Sequence, residues 1–197
     1  MERVFIHGLE SSSQGTKGSF FREKYPDMLI DDFSGPLDKR MEKLYETLTG
    51  KTDLILVGSS YGGLMATIYA CTYEEKVKKL ILLAPALSIP VCKYCLGRLV
   101  IPVTIYHGLH DDVVPLQPVQ DIARALFTNL TFHAVEDDHP LQKTFHRLNW
   151  NDLLRPWDVN VTTQAVIYGL SCFQGKVVPV FFFTFEIFFC LYGKKDT

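Results

Sequence analysis

Ser60 has the setting in this sequence that could most directly do chemistry. It sits in Gly58-Ser59-Ser60-Tyr61-Gly62, after the apolar run Leu54–Val57 and before Leu64–Ala70, which reads as a helix. A serine on a sharp strand-to-helix turn is forced into a strained backbone conformation that lifts its Oγ above the sheet. The residues two positions away must be tiny, because strand and helix close on one another there, and both are glycine. A helix that opens at Ser60 also directs the N–H of Tyr61 and the positive end of its dipole toward any oxyanion forming nearby. The chemistry implied is nucleophilic attack on an acyl carbon. The competing reading is a glycine-rich turn with an inert serine. A bare G-x-S-x-G is common by chance, but one placed between a buried strand and a helix is not. The same turn would direct Ser59 inward, and no role is assigned to it.

The elements that must position Ser60 follow from periodicity. Short β-branched and apolar runs at Val4–His7, Met28–Asp31, Leu54–Val57, Lys79–Leu83, Val103–His107 and Leu130–Val135 read as strands. Their near-continuous apolar character suits a parallel sheet buried on both faces. Between them, Leu37–Leu48 places Leu37, Met41, Leu44, Tyr45 and Leu48 on one helical face, and Val119–Leu126 is also helical in pattern. Strand and helix in alternation imply an α/β fold, a doubly wound, mostly parallel sheet with right-handed crossovers. Ligands bind at the carboxyl ends of such strands. Four polar segments fall there: HGLESSS, GSSYGG, HGLHDD and EDDH.

With those segments in view, residues 3 to 153 resemble the α/β-hydrolase superfamily, most closely a small serine esterase or thioesterase without a lid. The resemblance implies a chain order of nucleophile, acid, histidine. HGLHDDVVP is similar to the superfamily's HGxxDxxVP segment, which makes Asp111 the acid, with Asp112 as the competitor one position on. AVEDDHPL resembles the late loop that carries the histidine, which makes His139 the general base. His139 would take the proton of Ser60 and Asp111 would hold its tautomer. Val4-Phe5-Ile6-His7-Gly8-Leu9 resembles the loop whose residue after the glycine donates to the oxyanion, so the expected backbone donors are Leu9 and Tyr61.

The other candidates read as structural. His133 falls within a strand and His146 on a helix, His7 and His107 end strands where a histidine supports loop packing, and Asp137 and Asp138 read as solvated loop carboxylates. A metal site from His107, His110, Asp111 and His139 lacks the spacing of hydrolytic zinc sites. GTKGS does not follow the phosphate-loop order, because threonine separates Gly15 from Lys17. No metal and no cofactor is expected. The interval Pro85 to Pro102 is too short for a large cap domain, so the site should be shallow or covered by one short segment.

With 197 residues, 47% apolar and 21% charged, the chain suits one domain with a full core. A formal net charge of −2 argues against nucleic acid as partner. The opening MERVFIHG lacks the basic leader and long apolar stretch of a secretory signal, which gives the expectation of a cytoplasmic protein. Five cysteines at irregular spacing, including the pair Cys92 and Cys95, are expected as free thiols. A boundary is placed after residue 155, leaving 156–197 as a phenylalanine-rich tail. Membrane contact through Val177–Tyr192 is disfavoured, because the stretch contains Pro179 and Glu186 and falls short of the roughly 20 apolar residues a spanning helix needs. The expected activity is hydrolysis of a small-molecule or acyl-chain carboxylic ester through an acyl-enzyme on Ser60. An acyl-protein or acyl-CoA thioesterase with the same triad is one alternative, and a non-catalytic ligand-binding domain of this fold is the other.

Overall fold

The structure is a computed structural model that describes residues 1–87, 91–95, 97–155, 170–173 and 176–179. The chain divides into two compact units, Met1–Trp157 and Asp158–Thr197. The first holds a parallel sheet of β1 (Glu2–Ile6), β2 (Leu29–Ile30), β3 (Leu54–Ser59), β4 (Val77–Leu83), β5 (Leu99–Gly108) and β6 (Phe127–Val135). The strand order is β2-β1-β3-β4-β5-β6, with every neighbouring pair parallel. The chain moves outward from β1 to β2, then returns to lay β3 on the other side of β1. That reversal opens a crevice at the carboxyl ends of β1 and β3, the place where ligands bind in open α/β sheets. The registers pair Ile6 with Gly58, Ser59 with Leu83, Leu83 with Tyr106 and Gly108 with Val135. Strands β1, β3, β4, β5 and β6 therefore end at one rim.

Alternation along the central strands builds two cores. Val4, Ile6, Leu54, Leu56, Leu80, Leu82, Val103 and Ile105 face one side, and Phe5, Ile55, Val57, Ile81 and Leu83 face the other. The first face is covered by α2 (Leu37–Thr47), α3 (Tyr61–Thr72) and α5 (Leu116–Leu126), through Met41, Leu44, Met65, Ile68, Val119 and Ala123. The second is covered by α1 (Thr16–Lys24), α6 (Gln142–Arg147) and α7 (Trp150–Leu153), whose Phe21, Phe145 and Trp150 pack edge-on or tilted with ring centroids 4.7–5.5 Å apart. Helix α3 is buried from Gly62 to Ala70, which is why its sequence is apolar all round and shows no amphipathic stripe.

The elements extend beyond their strongest sequence signals for local reasons. Helix α5 starts three residues before Val119, because Pro118 lies in the first turn, where the missing N–H had no intrahelical partner. Strand β5 starts four residues before Val103 because a register irregularity between Leu99 and Pro102 accommodates the proline. Helix α3 begins directly at the Ser60 turn.

The cysteines correct the expectation of free thiols throughout. Cys71, at the end of α3, and Cys95, just after α4 (Val91–Tyr94), form a disulfide with Cα atoms 5.0 Å apart. The packing of α4 back onto α3 brings together two residues 24 apart in sequence, a proximity that no local spacing encodes. The second unit contains an antiparallel hairpin of β7 (Leu170–Phe173) and β8 (Lys176–Pro179). Apart from β8, the stretch Val177–Tyr192 lies outside the described residues. Among the described residues no helix is long and apolar enough to cross a membrane.

Candidate active site

Ser60 occupies the turn between β3 and α3 with φ 53° and ψ −117°, a conformation that non-glycine residues rarely adopt. The main chain pins it there. Its N–H donates to the carbonyl of Leu83 at 2.8 Å, and its carbonyl accepts from Ala86 at 3.0 Å and Gly63 at 2.9 Å. The glycines on either side are sterically required. A Cβ at Gly58 would lie 2.5 Å from the carbonyl oxygen of Gly62, and one at Gly62 would lie 2.1 Å from that of Ile6.

Three side chains from three loops meet at this turn. The Oγ of Ser60 is 3.0 Å from Nε2 of His139, and Nδ1 of His139 is 2.7 Å from Oδ2 of Asp111. With Nδ1–H donating to the carboxylate, Nε2 is left to accept the serine proton. The Asp111 side chain is fully buried, and its Oδ1 accepts the N–H groups of Val113 at 3.0 Å and Val114 at 2.7 Å. A second, equally buried histidine reaches the same carboxylate: Nε2 of His107 lies 3.2 Å from Asp111 Oδ2 and 2.9 Å from the carbonyl of Val114. Its Nε2 carries the proton, which is donated to the Val114 carbonyl, so His107 stands beside the Asp111 carboxylate without a hydrogen bond to it. The neighbouring Asp112 is exposed.

The loop after β1 is held as firmly. The N–H of Phe33 donates to Nε2 of His7 at 2.9 Å, so the His7 proton resides on Nδ1, which donates to the carbonyl of Gly8 at 2.7 Å. That carbonyl belongs to the peptide whose other end is the N–H of Leu9. Fixing one end of a trans peptide plane fixes the direction of the opposite end. Ser13 anchors the far side of the loop by donating through N–H and hydroxyl to Asp32 at 2.6 and 3.0 Å. The Ser13 N–H is the main reason the Asp32 carboxyl is held below the usual range. Among the described residues no hydrogen bond engages the N–H of Leu9 or of Tyr61. Both residues line the same cavity as Ser60.

The His139 loop corrects one expectation. Asp137 is buried, not solvated, and its carboxylate accepts the N–H of Thr144 at 2.7 Å and that of Asp138 at 3.0 Å. Burial alone would raise its pKa, but these hydrogen bonds outweigh that and hold it below the usual carboxylate range. Lys17 ties the loop to α1 by donating to the carbonyl of Pro140 at 2.6 Å. Burial lowers its pKa, while Asp137 and Asp138 oppose the fall. His133 is exposed on edge strand β6, stacked on Tyr106, and His146 is exposed on α6. Neither reaches Ser60. His110 pairs with Glu136 at the surface, and among the described residues no group of three or more metal-ligating side chains is placed to hold an ion.

A cavity of about 520 Å³ opens over Ser60. Its apolar wall comes from Phe5, Leu9, Ala86, Val113, Val114 and Pro140. Leu9 and Val113 are 52% and 64% exposed, so they form an apolar rim open to solvent.

The family model described as alpha/beta hydrolase fold matches residues 8–93. Alpha/beta hydrolase domain-containing protein 10 from mouse superposes with a TM-score of 0.63 at 20% identity, covering 73% of this chain and 84% of its own. Est1E from Butyrivibrio proteoclasticus, solved with ferulic acid bound, gives a TM-score of 0.61 at 17% identity over 73% of this chain and 83% of its own. The monoacylglycerol lipase of Paleococcus ferrophilus gives 0.60 at 16% identity over 77% and 93%. No curated protein is significantly similar in sequence.

Proposed function

On the α/β-hydrolase fold that this chain carries, we propose that it is a serine hydrolase that cleaves a carboxylic ester through an acyl-enzyme on Ser60. The observation that carries the reading is the unbroken hydrogen-bonded line Ser60 Oγ, His139 Nε2, His139 Nδ1, Asp111 Oδ2, with links of 3.0 and 2.7 Å. His139 accepts the serine proton as Oγ attacks the acyl carbon, and the negative charge develops on the former carbonyl oxygen. The N–H groups of Leu9 and Tyr61 receive that charge. One such donor is worth about 3 kcal/mol in the transition state. The imidazolium then protonates the leaving alcohol, and water attacks the acyl-enzyme by the same route in reverse. Asp111 stabilises the imidazolium without taking its proton.

The apolar wall beside Ser60 suits the acyl group, and the short interval from Leu83 to Leu99 leaves no room for a cap domain that would exclude extended substrates. The esterase bound to ferulic acid and the monoacylglycerol lipase, which share this fold, support an acyl ester as the substrate class. The test uses a fluorophosphonate probe and p-nitrophenyl acyl esters, with an acyl thioester in parallel. Wild type and Ser59→Ala label and turn over, while Ser60→Ala does neither, with activity down by at least about a thousandfold. Wild type that is inert to the probe and to every ester overturns the reading in favour of a ligand-binding domain.

A further inference from the structure

Arg40 has no place in the Ser60, His139 and Asp111 line, yet it touches both residues whose amides face the proposed oxyanion. It lies on α2 and is 3% exposed. Among the described residues no carboxylate pairs with it. Its Nε donates to the carbonyl of Gly35 at 2.9 Å and its Nη2 to the carbonyl of Leu9 at 3.1 Å. The guanidinium carbon stands 5.6 Å from the ring centroid of Tyr61, and Nη1 is buried without a partner. A buried cation with neither counter-ion nor full hydrogen bonding is costly. A methionine of similar length would fill the space without that cost. Burial lowers the guanidinium pKa, but the group stays protonated.

The geometry points to Arg40 as a positioning residue for the oxyanion hole, resting on the serine-hydrolase reading above. His7 holds the peptide before the Leu9 Cα through the Gly8 carbonyl, and Arg40 holds the peptide after it through the Leu9 carbonyl. With both planes fixed, the Leu9 N–H has one direction. From the other side, the guanidinium against the Tyr61 ring braces the first residue of α3, which carries the second donor. The unpaired charge also adds a positive field behind the site, where negative charge appears only as the tetrahedral intermediate forms. Such a contribution stabilises the transition state and leaves ground-state binding nearly unchanged.

Arg40→Met and Arg40→Lys are compared with wild type, with rates normalised to the sites titrated by the fluorophosphonate. Loss of folded protein then does not register as loss of catalysis. Arg40→Met lowers kcat by about tenfold or more with KM within about twofold, and weakens binding of phenylboronic acid, which forms a tetrahedral anion on serine, by a similar factor. Arg40→Lys recovers part of both, because one ammonium keeps the charge but cannot span Gly35 and Leu9. Arg40→Met with wild-type kcat per titrated site overturns the inference, as does a loss confined to KM or an unchanged boronate affinity. If Arg40→Met does not fold, Arg40→Lys decides alone: a matched loss of about threefold or more in kcat and boronate affinity supports the role, and wild-type values overturn it. Wild type that ignores the fluorophosphonate overturns the underlying hydrolase reading instead, so the two failures are distinguishable.

Discussion

Asp111→Asn tests the site where it is most constrained. Three donors converge on this buried carboxylate: the N–H groups of Val113 and Val114 on Oδ1, and His139 Nδ1 on Oδ2, with the buried His107 ring 3.2 Å from Oδ2. An asparagine matches the volume but has one acceptor oxygen. If that oxygen faces the two main-chain amides, the new NH2 group faces the Nδ1–H of His139, donor against donor. His139 must yield, by moving its proton to Nε2, and an Nε2–H cannot accept the proton of Ser60. The variant should therefore fold and bind ester while holding the base in the wrong tautomer. The expected loss in kcat is about 10³–10⁴-fold at neutral pH, which is about 4–5 kcal/mol of transition-state stabilisation. Steady-state hydrolysis of a p-nitrophenyl ester and the rate of fluorophosphonate labelling both read it, with thermal unfolding as the check on folding. Asp112→Asn, at an exposed side chain, should stay within about twofold of wild type. An Asp111→Asn enzyme within about tenfold of wild type, or a larger loss in Asp112→Asn, refutes the assignment of the acid.

Two further outcomes concern the frame. Gly62→Ala would set a Cβ 2.1 Å from the Ile6 carbonyl oxygen, which neither α3 nor β1 can relieve without moving the turn; a loss of at least about 3 kcal/mol in urea unfolding, or no soluble protein, is expected. The Cys71–Cys95 bond closes a sequence separation of 24, so Cys71→Ser or a reductant should lower stability by about 3 kcal/mol, read as a fall in Tm, whereas full thiol titration of the unreduced protein would contradict the bond.

The rim of the sheet was legible because each of its residues obeys a local constraint. Ser60 needs a strand before it, a helix after it and glycines at Gly58 and Gly62, all of which are written within a few positions. The loops of Asp111 and His139 carry their own short patterns, and buried parallel strands advertise themselves as unbroken apolar runs. What escaped has no local signature. Asp137 looks like a solvated loop carboxylate until the start of α6 folds back to offer it the N–H of Thr144. Cys71 and Cys95 meet only once α4 packs on α3. Arg40 sits in a charged stretch of α2, Asp38-Lys39-Arg40, where nothing distinguishes the one side chain that turns inward.

That division has a physical cause. Ser60 is held in a backbone conformation with a positive φ, and strain of this kind persists only where the surroundings over-determine it. The proposed nucleophile is fixed by the turn itself, so its sequence context is short. The groups that hold the turn and its partner loops come from elements distant in sequence: Leu83 from β4, Phe33 beside His7, Arg40 from α2 and Lys17 from α1. Each acts mainly through a main-chain carbonyl or amide, and main-chain groups impose no demand on the residue type they meet. A supporting side chain at such a contact leaves no pattern at the position it supports. Arg40 is therefore visible only in three dimensions, although it grips the Leu9 carbonyl.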